Sequence, residues 1–135
     1  METMNHEYYV SSEIAKLLEK AGFDWKCRKC YNKGVLFDME PDEIRTQTPQ
    51  HSSYDVLAPT LEVAQRWLRE VKDIDVYIFP TTNNKRGCVY EWGIKTFGRA
   101  LWVEGQPYTN QYETYEESQE AGIKKAIEMI LEKGE

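Results

Sequence analysis

Cys27 and Cys30 form a CxxC within the run WKCRKC, and Cys88 is the third thiol of the chain. Thiols at that spacing suggest two chemistries. A structural zinc site needs four ligands, so His51 or His6 would have to complete the set, and there is no second CxxC. On a regular strand through residues 25–31 the side chains alternate, so Cys27 and Cys30 would point to opposite faces and could not share an ion. A thioredoxin-like pair needs its CxxC at a helix N-terminus, whereas here a helical pattern precedes it. The plainer reading is of incidental thiols on a basic hairpin. Cys27, Cys30 and Cys88 stay as weak metal candidates, and no cofactor is implied.

The acidic groups are no more specific. Asp73 and Asp75 form a DxD that could hold a divalent cation, but Asp also suits a helix-to-strand junction. Glu113, Glu116, Glu117 and Glu120 crowd the start of a helix, where the macrodipole favours negative charge. There is no GxSxG, no cysteine beside a base, and no glycine-rich phosphate loop.

Charge and aromatic patterning are more informative. The net charge of −6 disfavours a general nucleic-acid binder, yet it is unevenly spread. Residues 24–37 set Asp24 against Lys26, Arg28, Lys29 and Lys33, and residues 85–103 set Glu91 against Lys85, Arg86, Lys95 and Arg99; each stretch is net +3. Trp25, Tyr31, Tyr90 and Trp92 lie among these cations, the mixture that single-strand binders use for stacking and phosphate contact. The competing reading is a solvated rim around core aromatics.

The elements that would position these groups are legible. Ala58 to Pro80 reads as a capped helix feeding a strand. Thr60 is the N-cap, and Leu61, Ala64, Trp67, Leu68 and Val71 share one face. Then Ile74, Val76 and Ile78 alternate with Tyr77 and Phe79, and Pro80, lacking an N–H, is expected to end the ladder. An earlier helix is predicted over residues 11–21, capped by Ser11 or Ser12, with Gly22 and Phe23 as its C-terminal signal. Asn32-Lys33-Gly34 predicts a hairpin turn within residues 25–37. A strand from Cys88 and another over residues 99–104 complete an antiparallel meander. Thr114 and Glu117 match a capping box for a last helix over residues 114–132. Residues 1–9 read as a tail that begins frayed and from which Tyr8, Tyr9 and Val10 could dock, and 38–53 as a long polar loop. Tyr77, Phe79 and Trp102 lie on the meander face opposite its main apolar side, so that face is either covered internally or left for a partner, most simply a second copy.

The expectation is one α+β domain over residues 1–135, a small, mainly antiparallel meander packed with three helices. No apolar run approaches the ~20 residues needed to span a bilayer. The start METMNHEYYV lacks a basic region followed by an apolar core, and three cysteines do not suit a secreted framework, so a cytoplasmic location is expected.

The runs APTLEVAQRWLREV and YETYEESQEAGIKKAI resemble small proteins of unknown function encoded by phages and mobile elements of gut bacteria. The resemblance covers about residues 54–131. It rests on caps and core positions, carries no catalytic residue and leaves out CRKC. It implies an α+β fold and a mobile-element origin. The leading functional expectation is a non-enzymatic accessory module acting through protein contacts at Tyr77, Phe79 and Trp102. The alternative is a nucleic-acid module using Lys26, Arg28, Lys29 and Lys33 with Lys85, Arg86, Lys95 and Arg99. A small enzyme ranks third.

Overall fold

Ser11 starts the first helix, α1 (Ser12–Lys20), by accepting the Ile14 N–H on its hydroxyl at 3.2 Å. Gly22 ends it at φ +99, where the Gly22 and Phe23 N–H groups bond back to Glu19 and Leu18. That is the Schellman pattern, and Phe23 is buried against the helix it closes. This computed structural model describes residues 8–38, 55–83, 85, 87–96, 101–104 and 111–133. The expected polar loop, residues 38–53, lies outside the described residues except for Asp38. By contacts the chain divides into two compact units, Met1–Val63 and Ala64–Glu135.

In the first unit, α1 is followed by β1 (Lys29–Asn32), β2 (Val35–Asp38) and β3 (Asp55–Leu57), an antiparallel sheet of order β2-β1-β3. The hairpin turns on Lys33 and Gly34, with φ +55 and +81, both left-handed as a type I′ turn requires. Strand β3 is not anticipated by the sequence, because three residues are too few to show a period. Tyr9 and Val10 are docked. Tyr9 bridges Thr60, the Val10 N–H bonds Pro59 O at 3.0 Å, and the Tyr31 hydroxyl donates to Val10 O at 2.7 Å. Ile14, Leu18, Phe23, Val56 and Leu57 form the core of this unit.

Helix α2 (Leu61–Val71) begins where expected, with the Thr60 hydroxyl accepting the Val63 N–H at 3.1 Å. The boundary between the units falls within it. Val71 does not bury with its face and is 48% exposed, because it is the last helical residue and the chain turns away at once. Asp73, at φ +61, makes that turn.

The second unit carries the expected meander: β4 (Ile74–Asn83), β5 (Gly87–Thr96) and β6 (Leu101–Glu104), antiparallel in that order. Pro80 does not end β4. It pairs with Tyr90, whose N–H and C=O both bond Tyr112 on the other side. The Pro80–Tyr90 pair is therefore a non-hydrogen-bonded one, and the missing N–H faces away from β5, so the β4–β5 ladder does not need it.

Helix α3 (Tyr115–Lys133) opens with the predicted capping box, Glu117 N–H to the Thr114 hydroxyl at 3.1 Å and Thr114 N–H to the Glu117 carboxylate at 3.3 Å. It packs on the face shared by Val76 and Trp92, with Gly122 at the contact. The Gln65 amide donates to Val76 O, and its carbonyl accepts from Gln119 Nε2 at 2.7 Å, tying α2, β4 and α3 together. The α+β class holds, with the strands shared between two sheets: α1 lies with the first and α3 with the meander. No helix among the described residues is long and apolar enough to cross a membrane.

Candidate functional site

A concavity lies in the first unit. A cavity of about 220 Å³ is lined by Tyr9, Lys26, Cys27, Arg28, Ala58, Pro59, Thr60 and Val63. Three segments build it. The run before β1 supplies Lys26, Cys27 and Arg28, the turn from β3 into α2 supplies Ala58 to Thr60, and Tyr9 comes from the segment bridged to Thr60. Along the first segment Cys27 is buried while Lys26 and Arg28 are exposed, so cations stand on either side of an apolar floor.

The eight cations singled out from the sequence do not form one surface. Lys29 is tied to the Asp38 carboxylate, and its ammonium lies 5.2 Å from the Tyr9 ring centre. Lys33, Lys85 and Lys95 are engaged with other groups. Arg86 and Arg99 lie outside the described residues. Lys26 and Arg28 are left, with no ion pair or hydrogen bond to any described residue, and both line the cavity.

The cysteines separate in character. Cys27 and Cys30 are both buried and Cys88 is exposed. The opposite-face expectation for Cys27 and Cys30 fails because β1 begins only at Lys29, after a bend at Arg28 that lets both thiols turn inward. Burial pushes the Cys27 thiol up from 9.0 to about 12, with nearby Cys30 adding to the effect. The thiol donates weakly to Trp25 O at 3.6 Å. Held protonated, it is a poor nucleophile near neutral pH. Among the described residues no group of three or more His, Cys, Asp or Glu stands together to hold a metal ion.

A thiol whose folded pKa exceeds its unfolded value keeps its proton longer in the folded state. Stability therefore falls as pH rises from 9.0 towards about 12. Cys27→Ala is expected to flatten that decline in urea midpoints measured across alkaline pH, and an unchanged slope would contradict the assignment. Near neutral pH, mass spectrometry after alkylation should find Cys88 modified well before Cys27.

Asp73 and Asp75 serve different ends. Asp73 makes the left-handed exit from α2, while Asp75 stands opposite Lys95 across the β4–β5 ladder. Tyr77 and Phe79 are half-buried and stack with ring centres 5.9 Å apart. Tyr77 lies over Gly93, where a Cβ would come within 2.4 Å of its ring. On the same face Glu91 is 7% exposed and accepts from Gln111 Nε2 at 3.1 Å. Trp102 pairs with Lys95 through its backbone, and its side chain lies outside the description.

Two exposed apolar residues escaped the sequence reading. Val35 and Phe37, 54% and 49% exposed, share one face of β2. Their spacing was visible, but only the strand order shows that β2 is an edge. Set against protein-family models, curated proteins and solved structures, the chain matches none.

Proposed function

We propose that the protein is a non-enzymatic accessory module of a phage or mobile element that acts through protein–protein contacts, and that the contact is with a second copy along β2. The resemblance of the Ala58 and Tyr112 runs to proteins of such elements supports the origin. The observation that carries the contact is the edge of β2, unpaired among the described residues, with Val35 and Phe37 exposed on one face. Edge strands present a row of free backbone groups that invite another strand. A two-fold axis through Leu36 sets Val35 of each copy against Phe37 of the other, an aliphatic–aromatic pair made twice. Asp38 is already neutralised by Lys29, so no bare charge is carried to the seam.

Light scattering behind size exclusion, over a range of concentrations, tests this. The wild-type chain is expected to move towards twice its mass as concentration rises, and the double variant Val35→Lys/Phe37→Lys is expected to stay monomeric. Both substitutions fall on exposed side chains, so the fold should survive them. A wild type that stays monomeric throughout, or a double variant that dimerises equally well, overturns the proposal.

A further inference from the structure

We propose that the cavity between the start of β1 and the start of α2 binds a phosphate monoester carried on a compact planar body, the chemistry of a nucleoside monophosphate.

Three observations carry this independently of the β2 contact. The first is charge. Lys26 and Arg28 stand on either side of Cys27 with no ion pair or hydrogen bond to any described residue, whereas neighbouring Lys29 is neutralised by Asp38. Two cations that line one cavity and are unpaired among the described residues can both face one anion. A phosphate monoester carries about −1.5 to −2 charge at neutral pH, which matches the pair better than a single carboxylate does. The Arg fork suits phosphate oxygens, with the Lys beside it as a point charge.

The second is the wall. Ala58, Pro59, Val63 and Tyr9 line about 220 Å³ with apolar surface and one aromatic ring. That volume is below the usual range for drug-sized ligands, roughly 300–1,000 Å³, so it suits the planar base alone, with the sugar and phosphate outside it beside the exposed Lys26 and Arg28. Pro59 is conformationally fixed and Ala58 is buried, so these walls are preformed.

The third is the floor. Cys27 is buried and held neutral, so no negative charge opposes an anion there. The helix terminus itself adds little. The Leu61 N–H is already bonded to Tyr8 O, and the Val63 N–H to the Thr60 hydroxyl. The recognition is therefore assigned to the side chains of Lys26 and Arg28.

A free nucleotide and the 5′-phosphorylated end of a strand share this chemistry, and titration calorimetry on the full chain separates them. The probes are AMP, adenosine, inorganic phosphate, and a short oligothymidylate with or without a 5′-phosphate. AMP is expected to bind at least about tenfold more tightly than adenosine or inorganic phosphate, because only AMP meets both the cations and the wall. Lys26→Gln/Arg28→Gln should weaken AMP by roughly tenfold or more; both side chains are exposed, so folding should be unaffected. Val63→Phe keeps the charges and fills the cavity, and should also remove AMP binding, with circular dichroism confirming the fold. A 5′-phosphorylated strand that outbinds AMP supports the site and assigns it to strand ends; the reverse supports it and assigns it to the free nucleotide. The proposal is overturned if AMP binds no better than inorganic phosphate, if the double variant binds AMP as well as wild type does, or if the 5′-hydroxyl strand binds as tightly as the phosphorylated one.

Discussion

Replacing Trp67 by alanine is expected to lower stability by about 3–5 kcal/mol, the range for deleting a fully buried aromatic side chain. Trp67 is 1% exposed, in the middle of α2, with Ala64 and Leu68 fully buried on the same face. The loss has two sources. The wild-type chain gains free energy by taking the indole out of water, and the variant has no indole to bury. The surroundings also close only partly over the space left behind. Against a total of roughly 5–15 kcal/mol for an ordinary domain, that change is large. Val71→Ala on the same helix is the control. Its side chain is already half in water, so it should cost well under about 1 kcal/mol. Urea midpoints for the two variants give the comparison, and equal shifts would mean that α2 does not bury the face assigned to it.

Gly122→Val is expected to destabilise the protein by about 1–3 kcal/mol, although it removes a glycine from the interior of a helix. A Cβ at this position would lie 2.8 Å from Val76 Cγ1 and 3.0 Å from Trp92 Cβ. Neither neighbour can yield cheaply. Val76 is fully buried and stiff at χ1, and the Trp92 Cβ is held by the backbone of β5. Alanine offers the sharper test of sign. Helix propensity alone predicts that Gly122→Ala would gain about 1 kcal/mol. Overpacking of a tight contact costs about 1–3 kcal/mol and should cancel or reverse that gain. A thermal melt that shows Gly122→Ala clearly stabilised would mean that α3 does not approach the sheet this closely.

The helix ends were legible because cap chemistry is local. Ser11 with Ile14, Gly22 with Phe23, Thr60 with Val63 and Thr114 with Glu117 each involve groups within a few residues, and each forms as its spacing predicts. The meander was legible for a related reason, since apolar alternation fixes which residues share a face and turn residues mark the reversals. The readings that failed concern groups whose partners lie far along the chain. Pro80 looked like a stop, and only the bonds between Tyr90 and Tyr112 show that its missing N–H faces outward. Cys27 and Cys30 were assigned opposite faces by a strand period that does not apply before Lys29.

The candidate site was legible in one part only. The alternation of Lys26 and Arg28 about Cys27 is present in the linear chain, but it looked no different from the other basic stretches. Choosing it required knowing that Asp38 neutralises Lys29 and that Tyr9, Ala58 and Val63 meet beside it. For this protein, local spacing determined the elements, their caps and their turns, because those depend on backbone groups a few residues apart. Among the described residues, tertiary structure alone decided which strand became an edge, which cations stayed unpaired and where the chain left a hollow. Those outcomes depend on long-range contacts, and a pattern read along the sequence carries no record of which distant residue will supply them.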